Sequence, residues 1–168
     1  MPESTGIDAA RLIREHQVGV WRYLRALGCD QATAEDLTQD TFLAVMQHPF
    51  DEYSSAATAA YLRQTAFHLF ISWQRRSGRV VAIDEMEHLS ATWVAWAGHD
   101  DGDALLNALQ DCLNQLPERT RRALDLRFRE QLSRGQIAEA LGMTEHGARN
   151  LLQRAKEKLR LCIEGKLR

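Results

Sequence analysis

The chain has 168 residues, enough for one domain of ordinary size or two small ones. With 45% hydrophobic and 26% charged residues it is globular and not disordered, and three prolines and ten glycines leave long stretches that favour helices over strands. The net charge of −2 hides segregation: residues 117–168 hold 13 Lys/Arg against 7 Asp/Glu, while residues 80–103 hold six Asp/Glu and no Lys/Arg. A basic tail suits a polyanion and an acidic middle would avoid one, although solvated helix faces account for the same charges about as well.

Residues 8–27 predict a first helix, with Ile13, Val18, Val20, Trp21, Leu24 and Leu27 as its apolar positions and Gly28 closing it. A second helix follows from Asp30 to Gln47, and Thr33 with Asp36 is spaced like a capping box. Leu37, Thr41, Ala44 and Val45 fall on one face; Glu35, Asp36, Gln39 and Asp40 fall on the other. His48-Pro49 stops it, and residues 49–58 form a loop. A third helix from Ala59 to Arg76 has the core period Leu62, Ala66, Leu69, Trp73, and at least two of Phe67, Phe70 and Trp73 should be buried. Residues 79–103 read as an acidic linker, with a short extended piece at Val80–Asp84. Helical pattern resumes at Ala104, and Pro117 stands at the start of a further helix through Arg129. No strand-rich section or internal repeat is present. The expected fold class is all-α: two small helical domains, 8–78 and 104–168, joined by the acidic linker 79–103.

The last third carries the sharpest signal. Ser133 can cap a short helix in which Ile137, Ala138 and Leu141 point inward. Gly142 supplies a turn, Met143 plugs the space behind it, and Thr144 caps a second helix with Ala148, Leu151 and Leu152 on its core side. This is the pattern of a helix-turn-helix, whose second helix enters the major groove. Its outward residues include Arg149, Asn150 and Gln153, side chains that match guanine and adenine edges. Arg154, Lys156, Lys158 and Arg160 suit phosphates. An amphipathic hairpin with a soluble face is the alternative, disfavoured by the fixed offsets of caps, glycine and small residue.

Cys29, Cys112 and Cys162 lie far apart, with no C-x-x-C or Cys/His cluster at zinc spacing. Reduced, half-buried thiols in a cytosolic protein are expected, with no metal and no cofactor. No stretch resembles a signal peptide or approaches the ~20 apolar residues of a membrane span, so no membrane insertion is expected.

Three segments together carry a family resemblance. Leu116-Pro-Glu-Arg-Thr-Arg-Arg-Ala-Leu-Asp-Leu-Arg-Phe128, the helix-turn-helix, and Arg154-Ala-Lys-Glu-Lys-Leu-Arg160 resemble the C-terminal domain of bacterial extracytoplasmic-function (ECF) sigma factors of the sigma-70 family. Ala34-Glu-Asp-Leu-Thr-Gln-Asp-Thr-Phe-Leu-Ala-Val45 is similar to the family's polymerase-docking helix, and Tyr61–Arg76 to its −10 reading helix. The resemblance covers roughly residues 10–78 and 104–162. It implies that Glu35, Asp36, Gln39, Asp40 and Leu43 face core RNA polymerase. It implies that Tyr53, Ser54, Ser55 and Thr58 hold an unstacked base of the −10 element, beside Tyr61, Arg63, Gln64 and His68, with Arg75 and Arg76 on the backbone. Arg149, Asn150, Gln153, Arg154 and Lys156 would then serve the −35 element. The acidic linker would pass through polymerase channels, and an anti-sigma factor or other regulator is an expected partner, with Trp93 and Trp96 as candidate contacts.

The chain departs from the family's usual pattern at four places. His68 replaces a usual Asn, Ser72 a common Asp, His146-Gly147-Ala148 a usual Gly-Thr-Val, and Leu151 a frequent basic residue. A glycine inside a reading helix costs about 1 kcal/mol, so a weaker −35 contact is expected. The expected function is that of a cytoplasmic, non-enzymatic sigma factor. The alternative is a stand-alone helix-turn-helix regulator, which leaves the N-terminal half without a role; an enzyme has no nucleophile–base pair or phosphate loop to support it.

Overall fold

The computed structural model describes residues 7–48, 50–52, 54–79 and 82–168; Tyr53, Pro49 and the Val80-Val81 pair lie outside the described residues. The described elements are eight α-helices without a strand. They are α1 (Ala9–Ala26), α2 (Gln31–Gln47), α3 (Ser55–Arg76), α4 (Ile83–Ala97), α5 (Asp103–Asn114), α6 (Glu118–Phe128), α7 (Arg134–Leu141) and α8 (Glu145–Leu167). The chain divides into two compact units, residues 1–102 and residues 103–168.

In the first unit, α1, α2 and α3 pack on one another around Leu12, Tyr23, Leu24, Leu37, Phe42, Val45, Leu62, Ala66 and Phe70. Each helix begins where a side chain takes an orphan amide. Asp8 accepts from the Arg11 amide, Asp30 from the Thr33 amide and Ser54 from the Ala57 amide. The cap of α2 is therefore Asp30, not Thr33: the chain turns into the helix three residues earlier, and the Thr33 amide becomes the donor. Hydrogen bonding from the Thr33 side chain, and then from its amide, holds the exposed Asp30 carboxyl below its ordinary pKa. On α2 the buried face holds Ala34, Leu37, Thr38, Thr41, Phe42 and Val45, and Ala44 is only half-buried. The two buried threonine hydroxyls donate back to carbonyls one turn earlier, at 2.6 and 2.7 Å.

Two expectations in this unit are corrected. Helix α3 begins at Ser55, inside the expected loop, so Thr58 is a buried helical residue and not a loop group. Of the three aromatics expected to share the core, only Phe70 is buried; Phe67 and Trp73 pack against it from the edge. The segment read as a linker is also structured. Residues 83–97 form α4, which lies on α1 with Met86 and Trp93 against the first core. Its dock depends on contacts with distant residues, which local periodicity does not report.

In the second unit, Leu116, Ala123, Leu124, Leu126, Ile137, Ala138, Ala148, Leu152 and Ala155 form the core. Pro117 is the N-cap of α6, one position before the helix. Helix α5 lies along α8, and Cys112 on one is bonded to Cys162 on the other, with Cα atoms 6.0 Å apart. This corrects the expectation of three free thiols. Fifty residues separate the pair in sequence, and only the packing of α5 on α8 brings them together. Cys29 remains free and buried, and burial pushes its thiol up to about 11.

All four tryptophans (Trp21, Trp73, Trp93, Trp96) belong to the first unit, so their fluorescence reports that unit alone. Reducing Cys112–Cys162 should destabilise the second unit by about 2–4 kcal/mol, as expected for a loop of this size. Circular dichroism melts with and without reductant should separate, while the fluorescence transition stays put. A fluorescence midpoint that moves as far as the dichroism midpoint would contradict this.

Candidate nucleic-acid and polymerase-binding surfaces

Helix α2 turns Glu35, Asp36, Gln39, Asp40 and Leu43 outward as one continuous face. Leu43 is 58% exposed, and Met46 and Gln47 extend the face by a further turn. Sequence reasoning missed those last two. Their spacing from Leu43 was the available signal. On this face Gln31 donates to the Glu35 carboxylate at 3.2 Å. The result is an acidic and amide-bearing stripe with an apolar end.

On α3, Tyr61, Gln64, His68 and Arg75 are exposed and follow the spacing that shares one side of a helix. Arg76 is exposed beside them at the helix end. Tyr61 stacks on Phe50, with ring centroids 4.9 Å apart, so the aromatic surface at the head of this stripe is a pair. Phe50 was not foreseen as part of it. The Ser54 hydroxyl accepts the Ala57 amide at 3.0 Å, which fixes that oxygen as a helix cap, while Ser55 is exposed in the first turn. Arg63 is half-buried and turns away from the stripe, into a cleft shared with α1 and α4. Tyr53 lies outside the described residues.

The second unit holds α8 by devices at both ends of α7. Ser133 and Gln136 form a reciprocal capping box. Gly142 ends α7 in the left-handed region at φ 65°, a conformation that favours glycine. Thr144 then accepts the Gly147 amide at 3.0 Å and starts α8. Two arginines of α6 tie the motif down: Arg127 donates to the Leu132 carbonyl at 3.0 Å and Arg119 to the Leu141 carbonyl at 2.8 Å. Ala138 and Ala148 are both buried in the core that α7 and α8 share.

Arg149, Gln153, Arg154 and Lys156 are exposed on α8. Asn150 is half-buried, so it sits at the edge of this face. The Lys156 ammonium lies over the Phe128 ring, 5.4 Å from its centroid, and Phe128 is 59% exposed. Arg160 differs from the expectation for a phosphate contact. It donates to Glu157 at 2.6 Å and to Glu164 at 2.9 Å, which raises its pKa further and neutralises its charge locally. Leu151 is half-buried against the second core. No group of three or more His, Cys, Asp or Glu is placed to hold a metal among the described residues.

Residues 12–80 match the family model of Sigma-70 region 2, and residues 106–159 match that of Sigma-70, region 4. ECF RNA polymerase sigma factor SigL of Mycobacterium tuberculosis is 33% identical, over 91% of this chain and 87% of its own length. The chain belongs to the ECF sigma factors. SigE of Mycolicibacterium smegmatis is 31% identical over 94% of this chain, which spans 64% of that longer relative. SigM of Bacillus subtilis is 27% identical over 84% of this chain and 86% of its own.

The Thr144 cap supplies a direct check on how α8 is held. Thr144→Ala should cost about 1 kcal/mol in the second unit, and Thr144→Ser should recover most of it. Equal losses for the two variants, measured by chemical denaturation, would remove the cap from the account.

Proposed function

We propose that this chain binds core RNA polymerase, directs it to specific promoters and helps open the −10 region, performing no chemistry itself. The observation that carries the reading is the presence of three exposed faces in one chain, in the family's order. The acidic and amide face of α2, with Leu43 at its apolar end, suits a basic docking surface on the polymerase. The stripe Tyr61, Gln64, His68 and Arg75, with Ser54, Ser55 and Arg76 around it, offers stacking, hydrogen bonds and charge to the non-template strand of the −10 element; Tyr53 is assigned to the same role from the sequence alone. Arg149, Asn150 and Gln153 read base edges of the −35 element, with Arg154 and Lys156 on phosphates. The protein works in the bacterial cytoplasm, and an anti-sigma factor or other regulator is its expected inhibitor. No described helix is long and apolar enough to cross a membrane.

A stand-alone regulator would need only α6 to α8, which leaves the faces of α2 and α3 idle. Run-off transcription with purified core enzyme over genome fragments separates the two. Promoter-specific transcripts that depend on this protein are expected. Strong operator binding without polymerase, and no specific transcripts on any fragment, would reverse the assignment.

Residue roles divide by their signatures. Arg149→Ala should weaken −35-dependent initiation about 5- to 150-fold, as for one lost base contact, and relax preference at one base position. Lys156→Ala should weaken all promoters alike and reduce the salt dependence by about one phosphate. Asp36→Lys with Asp40→Lys should abolish core binding in a pull-down while leaving the melting temperature within a few degrees. Wild-type core binding by that double variant would take the α2 face out of the account.

A further inference from the structure

Helix α4 falls outside both matched regions, in the stretch that the resemblance reads as an extended linker. Yet its seat on the first unit is built in detail. Tyr23, fully buried on α1, shares a hydrogen bond of 2.7 Å with Ser90. Arg22 donates to the Asp101 carbonyl at 3.0 Å. Gly19 gives the Asp101 side chain room: a Cβ at position 19 would lie 2.5 Å from its carboxylate oxygen. Gly102, at φ +87°, passes the Trp93 ring so closely that a Cβ there would lie 2.7 Å from it. Two glycines from separate parts of the chain thus fit the same short segment.

The seat is also easily left. Ala97 is the only buried residue of α4, and no side chain caps its N-terminus. A cleft of about 770 Å³ remains between α1, the start of α3 and α4, so this contact lacks the close packing of a core. Such elements belong to the low-stability end of a fold.

Docking changes the tether. With α4 seated, Gly98–Gly102 alone joins α4 to α5, and five residues reach at most about 18 Å. With α4 released and unwound, residues 79–102 reach at most about 85 Å. Elements centred near −10 and −35 lie roughly 25 base pairs, or about 85 Å of duplex, apart. A radius of ~15 Å for each unit added to the short tether does not cover that span.

We propose that α4 is a displaceable latch that sets the reach between the two DNA-binding units: seated in the free protein, released when both promoter elements are held. This rests on the sigma-factor reading above. The mechanism is population shift: only the released state can gain the second set of DNA contacts.

Gly19→Cys combined with Asp101→Cys provides a lock. The two Cβ positions are 3.5 Å apart, at the lower end of the range of about 3.5–4.5 Å that a disulfide bridges. Cys29 is buried and Cys112 is bonded to Cys162, so neither competes. The oxidised lock should lose at least about tenfold of its transcription from two-element promoters, and reduction should restore it; tenfold corresponds to about 1.4 kcal/mol of coupling. Wild-type protein under the same two conditions controls for Cys112–Cys162. Full activity of the oxidised lock overturns the latch. Absence of specific transcripts from wild-type protein overturns the sigma-factor reading instead.

A second measurement needs no polymerase. Spin labels on Val18→Cys and Leu161→Cys, positions 51% and 56% exposed, report the distance between the units. Trp93→Ala should broaden that distribution and move it outward, since the typical span of the tether grows from about 12 Å to about 27 Å. An unchanged distribution in a variant that retains its helical signal overturns the proposal.

Discussion

The close approach of α7 to α8 governs what the second unit can present. Ala138 and Ala148 are both buried where the two helices pack, and neither holds a side chain that would force them apart. Gly142 makes the turn between them in a conformation that a side chain would strain. The bearing of α8 follows from that contact, and with it the outward set of Arg149, Gln153 and Lys156. Arg119 and Arg127 bind two carbonyls flanking α7, so its ends are fixed as well as its middle. A unit of this size has little apolar core, and the Cys112–Cys162 bond supplements it from the far end of α8.

The first unit solves a different problem. Three helices share one core and leave two polar faces open, one on α2 and one on α3. The buried threonines of α2 show how this is done: Thr38 and Thr41 satisfy their hydroxyls within the helix and need no partner from α1 or α3. The opposite side of the helix stays free for acids and amides. Function and packing are divided by helix face, not by segment.

That division explains what was legible in the sequence. The helix-turn-helix could be read because its determinants are local: Ser133, Gln136, Gly142 and Thr144 act within a few residues of themselves. The exposed faces of α2 and α3 followed from period. Asn150 was harder to judge, because its half-burial depends on how neighbouring helices shadow that side of α8. The dock of α4 and the cysteine pair were hidden for the same reason. Both join residues far apart in the chain, and Trp93, Asp101 or Cys162 carries no mark of its partner. Phe50 beneath Tyr61 belongs to this class too.

The acids around Arg160 have a consequence for binding depth. Beyond Lys158, α8 has Arg160 clasped by Glu157 and Glu164, and Lys166 lies 3.8 Å from Asp111. Attraction for a phosphate backbone is therefore concentrated in the first half of a long helix. Pushing α8 further along the duplex would add length without adding pull. In the role proposed above, the exposed cations Arg149, Arg154, Lys156 and Lys158, which precede the clasped Arg160, carry the attraction for phosphates.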